Sequence, residues 1–148
     1  SQFVAISGTV SMRAEGFSLD NLNKALREIN EDLDLSDMEF GYDPDDVADG
    51  KPLRLHGHGD ISTCTDEVNA IRGAFAKYNL VGVFRVDGDE ADNFFFAAGP
   101  NEEENQANLR LAAGEFFLRR FKERGDFATF QEAIDYIVAN RNNFEGEL

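Results

Sequence analysis

Apolar and polar residues alternate from Phe3 to Met12, with Val4, Ile6, Val10 and Met12 on one side and Ser7, Thr9 and Ser11 on the other. That two-residue period predicts a strand with one buried face. Gly8 interrupts it and signals either a bulge or a close backbone approach. The period then becomes helical, because Leu19, Leu22, Leu26, Ile29 and Leu33 recur at spacings of three and four. Ser18 is placed to cap this helix, and Phe17 to pack on Leu22 as a hydrophobic staple.

Met38, Phe40 and Tyr42 alternate with Glu39 and Gly41, which predicts a second strand. The run from Asp43 to Gly50, with Pro44 and four aspartates, predicts a loop. After Pro52, Leu53 and Leu55 alternate with Arg54, His56 and His58, giving a third strand despite Gly57 and Gly59. Thr63 or Thr65 is expected to cap the next helix, which buries Val68, Ile71, Phe75 and Tyr78 and turns Glu67, Arg72 and Lys77 to water.

Leu80 to Val86 and Phe94 to Ala98 read as two further strands joined by a charged connection. The three consecutive phenylalanines at 94–96 reach both faces of their strand, which predicts burial on both sides or an oligomer contact. Asn101 with Glu104 resembles a capping box for a long helix that buries Leu109, Ala112, Ala113, Phe116, Phe117 and Phe121 and ends at Gly125. Thr129 with Glu132 opens a last helix carrying Phe130, Ala133, Ile134, Ile137 and Val138.

The resulting order β, α, β, β, α, β, β, α, α places the chain in the α+β class. It predicts a mixed or antiparallel sheet, with a ferredoxin-like core as one reading and two additional C-terminal helices. With 148 residues, 42% of them hydrophobic, a single domain over residues 1–148 is expected.

Charge changes the picture more than any motif. The formal net charge is −15, from 29 acidic and 14 basic groups. Residues 15–50 hold 12 acidic and 2 basic side chains, a net of −10. Residues 87–104 add 7 acidic and no basic ones, a net of −7. Direct binding to a phosphate backbone calls for a basic stripe, which this balance opposes. A basic protein surface is the partner expected instead, with Asp43, Asp45, Asp46, Asp49, Asp87, Asp89, Glu90 and Asp92 as the contacting groups. A nucleic-acid-mimicking inhibitor of a nucleic-acid-binding host or defence protein, of the kind phages carry, is the sharpest form of that expectation. It requires both acidic segments to share one face.

Other chemistry is poorly specified. His56 and His58 project to one side of their strand, with Asp60 beyond them, but a complete ligand set is not specified and no metal or cofactor is expected. The aspartate runs are oxygen-rich without the glycine and distal glutamate of a calcium loop. Cys64 reads as a buried thiol at a helix start; it lacks a partner for a disulfide and a recognisable base for nucleophilic work. No nucleophile elbow, phosphate loop or dinucleotide fingerprint appears. Arg119, Arg120, Lys122 and Arg124 read as charges that complement a helix C-terminus. No stretch approaches 18 consecutive apolar residues, so no membrane span is expected and a cytoplasmic setting is preferred. A small enzyme built on the histidine region and a structural homo-oligomer built on the aromatic strand are the rival expectations.

Overall fold

The computed structural model describes residues 2–90, 93–124 and 128–139. Its elements run β1 (Gln2–Val10), α1 (Leu19–Asp32), α2 (Pro44–Ala48), β2 (Arg54–Ile61), α3 (Thr65–Lys77), β3 (Gly82–Gly88), β4 (Asn93–Ala98), α4 (Glu102–Arg124) and α5 (Phe130–Ala139). The four strands form one sheet in the order β2-β1-β3-β4, and every neighbouring pair is antiparallel. The chain is therefore an α+β domain with an antiparallel sheet, followed by two helices.

Strand alternation decides which face each side chain takes. In β1 the buried positions are Gln2, Val4, Ile6, Gly8 and Val10, and in β2 they are Leu55, Gly57, Gly59 and Ile61. These meet Leu22, Ala25, Leu26 and Ile29 of α1 and Val68, Ile71 and Phe75 of α3 in one core. Phe84 lies at its centre, stacked on Phe96 at 5.1 Å and edge-on to Phe75 at 5.3 Å. Such aromatic pairs add ~0.5–1.5 kcal/mol each beyond the area they bury.

Gly8 causes no bulge, since its pairing with Phe84 lies in an unbroken register. The close-approach reading holds: a Cβ there would lie 2.3 Å from Phe84 Cδ1 and 2.5 Å from the Val83 carbonyl oxygen. The central aromatic ring occupies the space a side chain would need.

Helix α1 begins where expected, with the Asn21 N–H donating to Ser18 Oγ at 3.0 Å, and Phe17 lies against the core. Helix α3 departs from expectation at its start. Cys64 holds the cap position without a side-chain cap hydrogen bond, so neither Thr63 nor Thr65 caps it. Glu67 is not on the wet side; it is 4% exposed and its Oε1 accepts from Ser36 Oγ at 2.8 Å. Lys77 donates to Glu28 Oε1 at 2.6 Å and ties α3 to α1. That hydrogen bond, seconded by one to Tyr78, holds the Glu28 carboxyl below its ordinary range, and Glu28 in turn raises Lys77.

The strand expected at 38–42 is reduced to a single bridge between Gly41 and His56. Beyond that bridge a ladder to β2 would next use the edge groups of His58 and Asp60, and the Asp60 N–H is taken at 3.0 Å by the Asp37 side chain. On the side of the segment away from β2, Asn30 of α1 accepts from the Phe40 N–H at 2.9 Å and donates to the Phe40 carbonyl at 3.0 Å, which ties the segment to α1. Gly57 and Gly59 admit this segment, because a Cβ on either would sit within 3 Å of Glu39, Phe40 or Asp37 atoms. The loop expected over 43–50 contains the one-turn helix α2, which Asp43 caps by accepting the Asp45 N–H at 2.9 Å, with Pro44 at its first position.

Helix α4 starts at the expected cap, with the Glu104 N–H donating to Asn101 Oδ1 at 2.9 Å. The Glu132 N–H donates to Thr129 Oγ1 at 3.2 Å ahead of α5. Leu109 and Ala113 of α4 and Ala133 of α5 are buried. The expectations for Phe117, Phe121, Gly125, Phe130 and Ile137 lie outside the described residues and side chains. Among the described residues no helix is long and apolar enough to cross a membrane.

Candidate functional site

Helix α4 crosses the second face of the sheet over β4 and β3, where Phe116 meets Phe95 edge-on at 5.5 Å. Phe96 points the other way into the core, so the aromatic strand is packed on both faces. The β1 and β2 half of the second face stays open. Its positions form four cross-strand rows, set about 7 Å apart by the strand repeat.

The first row is Arg54, Thr9, Val83 and Ala97, and the second is His56, Ser7, Arg85 and Phe95. The third is His58, Ala5, Asp87 and Asn93, and in the fourth Asp60 pairs with Phe3. Phe3 exchanges hydrogen bonds with Asp89: its N–H donates to Asp89 Oδ1, and its carbonyl accepts the Asp89 N–H. Charge consequently changes sign along the strands, from arginines at one end to carboxylates about 20 Å away at the other.

The carboxylate end is extended by an open pocket of about 760 Å³ lined by Asp32, Asp34, Asp37, Asp60, Asp66 and Glu67. Glu67 Oε2 is buried there without a hydrogen-bond partner. Asp34, Asp60 and Asp87 are exposed and form no ion pair among the described residues.

The anticipated acidic residues therefore divide. Asp87, Asp89 and Glu90 belong to the carboxylate end. Asp43, Asp45, Asp46 and Asp49 surround α2, between the Gly41 bridge to His56 and the start of β2, and so lie toward the other end. Two of these are engaged locally, Asp43 as the α2 cap and Asp46 in an ion pair with Lys51 at 3.8 Å. Asp92 lies outside the described residues. Asp34, Asp37 and Asp66 were not singled out from the sequence, while Asp60 was read only with the histidines and Glu67 only as a solvent-facing helix residue; the helix-start position of Asp66 and Glu67 pointed to a dipole role.

His56 and His58 do share the open face, both exposed, with the His58 ring 5.8 Å from Phe3. Among the described residues no three histidine, cysteine or acidic groups come together to hold a metal ion. Cys64 is buried at 5% exposure. Of the basic run, Arg119 is exposed on α4, while the side chains of Arg120, Lys122 and Arg124 are outside the description.

Comparison with protein-family models, curated proteins and solved structures finds no match to this chain.

Proposed function

We propose that this chain is a non-enzymatic binding module that engages a basic protein surface through the carboxylate end of its sheet. The observation that carries the reading is the convergence of Asp34, Asp37, Asp60 and Asp66 on one open pocket, with the unpartnered Glu67 oxygen in its wall. A lysine or arginine entering this pocket meets several carboxylates that no cation among the described residues neutralises, and a buried acceptor without a donor favours such an arrival.

The nucleic-acid-mimic form of the proposal needs a continuous line of charge from Asp43–Asp49 to Asp87–Glu90. The strand register sets these toward opposite ends of the sheet, so the single-cluster form is preferred. A lone buried thiol favours a reducing compartment such as the cytoplasm. The core itself we read as ferredoxin-like, the 38–42 segment standing in the place of an edge strand beside β2 and β4 being an addition at the far edge.

The test begins with capture of a partner from the native host on the immobilised chain, followed by association kinetics against salt. Asp34→Asn, Asp60→Asn and Asp87→Asn together are expected to slow association about tenfold at low salt and flatten its salt dependence. Asp45→Asn, Asp46→Asn and Asp49→Asn together are expected to leave the rate within about twofold. Equal effects of the two sets on folded protein refute the single-cluster reading. No effect of either set refutes the charge-led reading altogether.

A further inference from the structure

We infer that the groove between α4 and the uncovered strands is a binding site for a small organic anion with a flat apolar body. The groove encloses about 580 Å³, a volume within the range of small-molecule sites. Arg54 on β2, Arg85 on β3 and Arg119 on α4 all line it. In a chain of net charge −15 these three arginines form no ion pair among the described residues. They are brought together by the fold alone, from positions 31 and 34 residues apart in sequence.

Arg85 is the preorganised member. Its guanidinium lies 4.2 Å from the Phe116 ring centroid and 5.4 Å from that of Phe95, so two aromatic faces hold it while its hydrogen-bond donors remain available. Ser7 is its cross-strand neighbour and Thr9 that of Arg54; both hydroxyls are exposed and line the same groove. The α4 wall is mixed: Leu111, 66% exposed, with Ala112 and Phe116 supplies exposed carbon beside Asn108 and Arg119. Guanidinium donors next to exposed carbon match a ligand that carries a charged group on a flat apolar body. Glu104 and Glu115 also line the groove, which disfavours large polyanions and restricts the charge accepted to a single compact group.

The experiment is a two-dimensional amide NMR titration of the whole chain, using naphthoate as the probe and naphthylmethanol as its uncharged counterpart. Naphthoate is expected to shift the amides of Ser7, Thr9, Arg85 and Phe95 saturably, with the alcohol binding about tenfold more weakly. Arg54→Gln and Arg119→Gln, neither of which removes an ion pair among the described residues, are each expected to weaken naphthoate about fivefold or more with an unchanged unfolding midpoint. Arg85→Gln removes the aromatic contacts as well and is expected to weaken both probes. Equal affinity for acid and alcohol, unchanged naphthoate affinity in both Arg54→Gln and Arg119→Gln, or saturable shifts confined to other residues overturns the inference. The site is independent of the carboxylate end, so the Asp34, Asp60 and Asp87 variants are expected to bind naphthoate as the parent does.

Discussion

Asn30→Ala removes both hydrogen bonds that hold Phe40, and its cost can be worked from the structure. Phe40 is 4% exposed, and its N–H and carbonyl each have their bond to the Asn30 amide. Leaving a buried polar group unpaired costs about 1–3 kcal/mol, so two such groups cost about 2–4 kcal/mol after partial rescue by water. Alanine is the better helix former within α1, which returns about 0.5 kcal/mol. The net expectation is a loss of about 1.5–3.5 kcal/mol, or a fall in Tm of about 5–11 °C for a chain of this size. Urea unfolding followed by circular dichroism reads the same quantity as a drop in midpoint with unchanged slope. Asn30→Asp keeps the acceptor for the Phe40 N–H but sets a carboxylate against the Phe40 carbonyl, so it is expected to be at least as damaging. A change below about 0.5 kcal/mol in both variants refutes the reasoning, for the segment is then held by burial of Met38 and Phe40 rather than by the amide.

Gly8→Ala is expected to destabilise by about 3 kcal/mol, because the added carbon meets both the Phe84 ring and the rigid Val83 carbonyl; thermal unfolding checks it, and a loss below about 1 kcal/mol shows that β1 and β3 separate easily. The Glu28 carboxyl is expected to titrate below 4.5 in a carbon-detected NMR titration, and to move up toward 4.5 in Lys77→Gln. Its depressed folded pKa means the contribution to stability is present above the unfolded value and lost as pH falls through the folded one; Lys77, raised, contributes below 10.5 and loses that as pH rises through its folded value. Added zinc is expected to leave the unfolding midpoint within about 1 °C, and a saturable rise abolished by changing His56 and His58 together contradicts this.

Elements defined by neighbours in sequence were legible. The two-residue period found β1, the Ser18 and Asn101 caps found the starts of α1 and α4, and the aromatic run found β4. The failures share one cause: a long-range partner replaced the local rule. The 38–42 pattern is that of a strand, but Asn30 ties Phe40 to α1 and the Asp37 side chain takes the Asp60 N–H on the β2 edge. Glu67 sits where a helix turns to solvent, but the 33–37 turn closes over it and Ser36 satisfies one of its oxygens. The same cause hides both halves of the candidate surface. No linear pattern joins Asp34 to Asp60 and Asp66, or Arg54 to Arg85 and Arg119, because only the packing of turns, strands and α4 brings each set to one pocket.

The 38–42 segment also governs how copies of this sheet can join. Along the outer side of β2, His56 has both backbone groups bonded to Gly41 and Asp60 has its N–H bonded to Asp37, so an incoming strand finds the docking edge already taken. The remaining edge belongs to β4. A sheet with one open edge can add one neighbour and then has nothing left to offer, so pairing through β4 closes as a two-fold dimer and cannot propagate into a fibre. Releasing the Asn30 clamp therefore does more than loosen a loop: it converts a chain terminator into a link.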